Sequence, residues 1–523
     1  MPKIVQNVVS RRRLLQAAGA APILAATPNF WDLRHANAAD GKPLVVAIGT
    51  DIVSMDPDKY ASWNDYWAYG NMFEGLLVPG DKGDLEPGLA EKIEPSADGL
   101  SYRFTLRAGV KFHNGDPVTT DDIVFSLKRT LDPATRAQRA MLLGENLDGI
   151  EPIDQRSFVV KLKRVDSQTL QKLGLYWHVK PKKYIESVGD EAFARNPVGT
   201  GPFQFVERKP GEFFRIRAFA DYWGRKPKSQ EIVVRVVPEE QGRLAQVMAG
   251  EADVATPVSP VIAARMGNGP INVARVPAFL NVVIKFNYNH PEASKRLVRQ
   301  AISHAIDKEA MLKSIMMGYA GGQELWCTDA QPACSMAGVT SYKYDPARAR
   351  KLLEEAKFDF SKPFRFVGQA PGRVAASKET CEAIAEYLKR IGVQVDLQIL
   401  EFGAWNAILN ARHPKDPNVG MIFATSPDPS RDVAYKLQVN TKGGAIPSWV
   451  KDDENDAMLA KIDGFTDMKA RDDFMNSILR RQHDEAFVLP LWSNDTLYAT
   501  KKSVRFSVPP YYPFTILRDI ENG

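Results

Sequence analysis

The segment that most narrows what this chain can build is YRFTLRAGVKFHNGDPVTTDDIVFSLKR, residues 102–129. Tyr102, Phe104 and Leu106 alternate with Arg103, Thr105 and Arg107, the period of two expected of a half-buried strand. His113-Asn114-Gly115-Asp116-Pro117 is dense in turn formers. Thr119-Thr120-Asp121-Asp122 then reads as a capping box, opening a helix whose Ile123, Val124 and Leu127 share one face. By physics alone these 28 residues are a strand–turn–helix unit and nothing more.

The same interleaving runs through the rest of the chain. Leu44–Ile48 and Glu231–Val237 are apolar strands, and Pro238-Glu239-Glu240 opens a helix that stops near Gly250, before a short strand through Val254. Residues 296–317 carry one long helical pattern. Asp345-Pro346 is a cap followed by proline in the first turn, leading a helix to Lys357. Helix 378–391 ends at Gly392 before a strand at 393–400, and helix 468–485 ends near the strand 487–492. Strands alternating with helices of this length predict an α/β fold whose helices cover a mainly parallel sheet.

Residues 1–38 read as an export signal rather than as fold. Lys3 and Ser10-Arg11-Arg12-Arg13 form a basic start, Ala17 to Ala26 a short apolar run, and Ala36-Asn37-Ala38 a small-x-small cleavage site. Arg11 and Arg12 resemble the pair of a twin-arginine signal; an ordinary Sec signal carrying three arginines is the alternative. No run reaches the ~20 apolar residues of a membrane span. The first cysteine is Cys327, so no lipid anchor follows the signal. A soluble periplasmic protein is expected.

Removing that segment takes away five cations against one acid, Asp32, and reduces the net charge from +5 to about +1. With no basic tract elsewhere, nucleic-acid binding is excluded as the main role. The three cysteines, in an oxidising compartment, allow a disulfide. Cys327–Cys334 closes a short loop and is the preferred pair, with Cys381 a buried thiol in a helical pattern.

Further segments extend the picture: Asn196-Pro197-Val198-Gly199-Thr200-Gly201-Pro202-Phe203, Asp221-Tyr222-Trp223, RLVRQAISHAIDKEAML (296–312), YDPARARKLLEEAKF (344–358) and LPLW (489–492). Together with 102–129, and in this order from Leu44 to about Tyr498, they resemble the family-5 solute-binding proteins of ABC importers, which include the dipeptide- and oligopeptide-binding proteins. The resemblance implies a two-lobed type II periplasmic binding protein, the Venus-flytrap architecture, with an extra third domain. Lobe one would comprise 40–78, 196–276 and 496–523, the extra domain 79–195, and lobe two 277–495.

It also implies a site. The family places the segment around Trp63, Asn64 and Tyr66 at the lip of the interlobe cleft, and rigid aromatics there supply contact area at little entropic cost. Helix spacing leaves a core role open for the same residues. Phe402 and Trp405 follow strand 393–400, at the carboxyl end where α/β sheets bind ligands, and Trp492 ends another strand near a lobe crossing. In peptide-binding members an Asp three positions before an acidic-Pro step pairs with the peptide ammonium. Aligning on Asp428-Pro429 puts Thr425 at that position. Thr425 is neutral and cannot form a charge-assisted bond to an ammonium of comparable strength, although Asp428 could substitute after a local shift.

No Walker loop, G-x-S-x-G elbow, G-x-G-x-x-G or H-E-x-x-H occurs, and the seven histidines are scattered. The resulting expectation is a monomeric, non-enzymatic receptor. It needs no metal or cofactor, captures a small organic solute (a peptide or similar) and delivers it to permease subunits and their ATPases. A non-peptide solute such as an opine, modified amino acid, oligosaccharide or metal chelate is the alternative. An exported hydrolase or a scaffold is the remote one.

Overall fold

Two unusually long strands, Ile271–Phe286 and Val488–Lys501, organise the structure, a computed structural model that describes residues 42–59, 65–81, 84–137, 140–266, 269–328, 330–371, 374–427, 432–508 and 517–522. They pair antiparallel along almost their whole length, with register shifts between Pro277 and Leu280 and between Val282 and Val283. Proline cannot donate to a ladder, so a shift beside Pro277 is the expected response.

Around this pair lies an eleven-stranded sheet. On one side it continues through Val419–Pro427, Phe364–Gln369 and Val395–Leu400; on the other through Val254–Thr256, Leu44–Ile48, Glu231–Val236, Phe213–Ala218 and Phe203–Lys209. The short strand Ala320–Gly322 pairs with Ser493 and its neighbours. Each half carries its own helices and core, and the fold is the two-lobed α/β architecture with the long strands passing between halves.

The expectation of a mainly parallel sheet is corrected. Among the described residues only Leu44–Ile48 and Phe364–Gln369 pair in parallel, each with both neighbours; the other pairings are antiparallel. The crossing strands return on themselves, and direction is set by such connections rather than by strand composition. The single helix expected over 296–317 is also two, Arg296–Ala305 and Lys308–Ser314. Asp307 caps the second by accepting from Ala310 N at 2.9 Å.

A separate four-stranded antiparallel sheet, in the order Ala90–Pro95, Ser101–Leu106, Ser157–Leu162, Leu147–Pro152, contains the strand read at 102–106. Phe104 and Phe158 stack at 5.3 Å in its core with Ile123 and Leu127 of helix Thr120–Leu131. Thr119 N donates to Asp122 Oδ2 at 3.0 Å, closing the capping box. The turn that follows the strand is tied back to residues 199–201. His113 Nδ1 accepts from Gly199 N at 3.1 Å, so its Nε2–H donates to Gly201 O at 3.0 Å. Burial holds His113 neutral, its pKa lowered to about 4. A Cβ on Gly199 would lie 2.1 Å from Met72 O, so only glycine permits this approach.

The segment ahead of residue 60 is held by a buried ion cluster. Arg129 pairs with Asp56 at 2.6 Å and with Asp58, and Lys180 pairs with Asp58 at 2.7 Å. Cys327 and Cys334 form a disulfide with Cα atoms 5.8 Å apart, and Cys381 is a buried free thiol.

Candidate functional site

Where Val419–Pro427 and the two long strands lie side by side, Thr425 and Trp492 both pair with Val282. Asn494 and Pro427 pair in the same way with Leu280, two residues back. Directly paired residues share a face and alternate residues return to it, so Thr425, Trp492 and Asn494 project from one face of the sheet. Asn281, Ser426 and Ser493 project from the other.

The polar groups of the two faces are satisfied to different extents. On the second face Lys436 Nζ donates to Asn281 Oδ1 at 2.6 Å, and Asn281 Nδ2 donates to Gln323 Oε1 at 3.2 Å. Ser493 Oγ donates to Ala278 O, and Asn440 Nδ2 donates to Ser426 Oγ at 3.3 Å. Lys285 completes this network by donating to Asn440 Oδ1 at 2.8 Å and Pro447 O at 2.7 Å. Burial, with Lys415 nearby, lowers its pKa to about 7. On the first face Trp492 Nε1 and Asn494 Oδ1 are buried with no hydrogen-bond partner among the described residues. On the second face Gln369 Oε1, at the end of strand Phe364–Gln369, is in the same condition, and Asp495 is held by Arg275. Buried polar atoms are paired in the great majority of cases, so such groups call for an explanation.

The residues singled out from sequence fall into three groups. Trp63, Asn64 and Asp428, like Arg11 and Arg12 of the export signal, lie outside the described residues. Tyr66 and Trp405 pack inward: Tyr66 OH donates to Leu175 O, and Trp405, 4 % exposed, donates Nε1 to Phe423 O at 2.9 Å. Trp405 is a core residue, closed in with Leu409, Leu437 and Trp449. Phe402, on the outer side of the same helix and 37 % exposed, lies 5.8 Å from the Trp405 ring. Thr425 and Trp492 are the pair that the structure brings together. Asn494 was missed because the strand was read as stopping at Trp492; two residues further on, the same alternation reaches it.

A second set of contacts joins segments far apart in sequence. Gln168 Nε2 donates to Gln438 Oε1 at 2.8 Å and to Asp463 Oδ1 at 2.9 Å, and Gln438 Nε2 donates to Asp463 Oδ2 at 3.1 Å. The Tyr176 and Tyr435 rings lie 6.2 Å apart in the same region. Among the described residues no group of three or more His, Cys, Asp or Glu is placed to hold a metal ion. No helix among them is long and apolar enough to cross a membrane.

Comparison with known proteins places these features. Residues 84–443 match the model of the bacterial extracellular solute-binding proteins, family 5 (middle region). Heme-binding protein A of Haemophilus influenzae is 26% identical over 492 residues, covering 87% of this chain and 88% of that protein. A glutathione-binding protein, GsiB of Pectobacterium atrosepticum, is 27% identical over 421 residues, 79% of this chain and 78% of its own. The periplasmic binding protein DppA from Helicobacter pylori, solved in complex with peptide STSA, superposes with a TM-score of 0.78 at 24% identity. That match covers 92% of this chain and 98% of DppA.

Proposed function

This chain belongs to the family-5 bacterial extracellular solute-binding proteins, the receptors of ABC importers; on that premise we propose that its solute is a peptide or peptide-like molecule, held between the two lobes and handed to a membrane permease. The observation that carries the proposal is the unpartnered indole N–H of Trp492 beside Asn494 on a strand that passes between the two halves of the sheet. A receptor that must bury its solute keeps such groups in reserve, since a bound molecule supplies the missing partners. The relative described as glutathione-binding and the fold neighbour that holds a peptide support a peptide-like class.

One residue favours a second reading. Thr425 stands where peptide-binding members carry an acid, and the relatives include one described as heme-binding. A non-peptide solute, such as an opine, modified amino acid, oligosaccharide or metal chelate, is therefore the alternative.

In this reading the lobes are 40–78 with 196–276 and 496–523, and 277–495, while 79–195 is the additional domain. Residues 1–38, with Arg11 and Arg12, direct export, and the mature monomer works in the periplasm without catalytic residues. Trp63, Asn64 and Phe402 are assigned to the entrance, and Asp428 to the ammonium of a peptide. Solute favours the closed form by a few kcal/mol, enough to shift the population, and the permease recognises that form.

The test is a thermal-shift and calorimetric screen of residues 39–523 against glutathione, short peptides, opines, oligosaccharides and metal chelates. A ligand at a hundred times its dissociation constant stabilises by ~2.7 kcal/mol. Saturable shifts from peptides or glutathione support the first reading. Shifts confined to another class replace it with the second.

A further inference from the structure

We infer that Trp492 and Asn494 form a neutral subsite that takes an uncharged donor–acceptor group of the solute, a carboxamide or a hydroxyl. The inference rests on the receptor reading above and sharpens it. The indole Nε1–H donates to the oxygen of that group, and Asn494 Oδ1 accepts from its N–H or O–H.

The argument begins with the contrast between the two faces of the same strands. Asn281, Ser493 and Ser426 are hydrogen-bonded, and Asn281 is bonded as both acceptor and donor. Trp492 and Asn494, the alternate residues, are 1 % and 6 % exposed and leave one donor atom and one acceptor atom without partners among the described residues. Asn281, Ser426 and Ser493 show that the fold can satisfy buried polar groups on these strands. Leaving a buried polar atom unpaired is costly, so its retention is explained when a ligand completes it.

The character of the subsite follows from what surrounds it. The unpaired atoms are one donor and one acceptor, both neutral, and Thr425 adds a hydroxyl on the same face. Asp495, the nearest acid along the strand, alternates to the opposite side and is engaged by Arg275. An ammonium or carboxylate brought here would be buried without a counter-charge, which is far less favourable than burying a neutral group that can both give and accept a hydrogen bond. A carboxamide and a hydroxyl each do both.

Three variants test this: Asn494→Leu, Asn494→Asp and Trp492→Phe. The first measurement needs no ligand. If Asn494 is unpartnered in the fold, Asn494→Leu melts at the wild-type temperature or above it; a fall of several degrees means that the amide is bonded within the protein, and overturns the inference. The second is calorimetric titration with glutathione, which offers carboxamides, and with maltotriose, which offers hydroxyls. Whichever probe the wild type binds names the source of the group, and Asn494→Leu and Trp492→Phe should weaken it ten-fold or more. Tighter binding by Asn494→Asp would show that a cation occupies the subsite and would also overturn the inference. Should neither probe bind the wild type, the solute class proposed above loses support, and the melting comparison still decides whether the subsite is unpartnered.

Discussion

Thr425 and Trp492 stand on either side of Val282, each paired with it on a neighbouring strand, so that the three side chains share one face of the sheet. Residues 67 apart in sequence are brought together by a strand that belongs to neither of their local segments. In the proposed reading Thr425, a half-buried hydroxyl, stands where peptide-binding members of the family carry an acid.

The replacement is directly testable. Thr425→Asp should raise affinity for peptides with a free amino terminus by roughly ten-fold or more, since a hydrogen bond to a charged group contributes about 1.5–3 kcal/mol. N-acetylated versions of the same peptides should gain nothing. Equal gains for both, measured by calorimetry, would mean that the new carboxylate does not meet the ammonium.

Trp405→Ala should behave as a core truncation. The indole is buried and hydrogen-bonded to Phe423 O, and removing it should cost about 3–5 kcal/mol in denaturant unfolding. Affinity per folded molecule should be unchanged. A variant of normal stability that binds poorly would return Trp405 to the wall of the site.

The cluster of Asp56, Asp58, Arg129 and Lys180 should be sensitive to the loss of one member. Arg129→Met leaves Asp56 and Asp58 buried with too little counter-charge, at a cost of about 3–5 kcal/mol. Burial alone would raise the Asp58 carboxyl, but Lys180 and Arg129 outweigh it and hold its pKa below the ordinary value. The stability this contributes is present above the unfolded carboxylate pKa and is lost as pH falls through the lower folded one. Unfolding followed between pH 5 and 2 should therefore show a steeper acid loss in the wild type than in Asp58→Asn. Parallel curves would remove Asp58 from the account.

Glu74 should produce the opposite slope. Its carboxylate accepts from Tyr222 OH at 2.7 Å and Trp223 Nε1 at 2.9 Å, yet burial pushes its pKa up to about 7. The folded state holds a proton that the unfolded state has released from about pH 4.5 upward, so stability declines with rising pH until about 7 and is level beyond. Glu74→Gln should abolish that decline and be more stable than the wild type at pH 8. An unchanged pH profile in the variant would assign the slope elsewhere.

The contact of Gln168 with Gln438 and Asp463 joins the additional domain to lobe two in the proposed division. Asp463→Ala removes the acceptor carboxylate that both amides share. At about 0.5–1.5 kcal/mol per hydrogen bond, the loss should shift a closing equilibrium several-fold towards open. X-ray scattering should then give a larger radius of gyration for the ligand-free variant, which saturating ligand restores. Identical ligand-free profiles for variant and wild type would show that this contact does not govern closure.

Much of the local structure was legible because local patterns cause it. The alternation at 102–106 became the strand Ser101–Leu106, and Thr119 with Asp122 became the cap of Thr120–Leu131. Asp345 and Pro346 opened the helix Pro346–Glu355 in the same way. What failed depended on partners remote in sequence. The helical pattern at 296–317 runs through the break at Ile306, although Asp307, which caps the second helix, is itself a local sign of it. Strand composition does not carry strand direction, and the sheet is mixed for that reason. Nor does sequence separate Trp405 from Trp492. Both follow apolar runs, but one indole finds a carbonyl on a neighbouring strand and the other finds none.

The sequence by itself determined the α/β class, the order of strands and helices, the family, and the absence of an acid at position 425, because periodicity, caps and residue identity act over a few positions. Only the tertiary structure decided that both Trp405 and Trp492 are buried, and that of the two only the Trp492 indole N–H, with Asn494 Oδ1 beside it, is left without a hydrogen-bond partner among the described residues. Pairing and burial are properties of segments hundreds of residues apart, and hydrogen-bond satisfaction can be counted only once those segments meet.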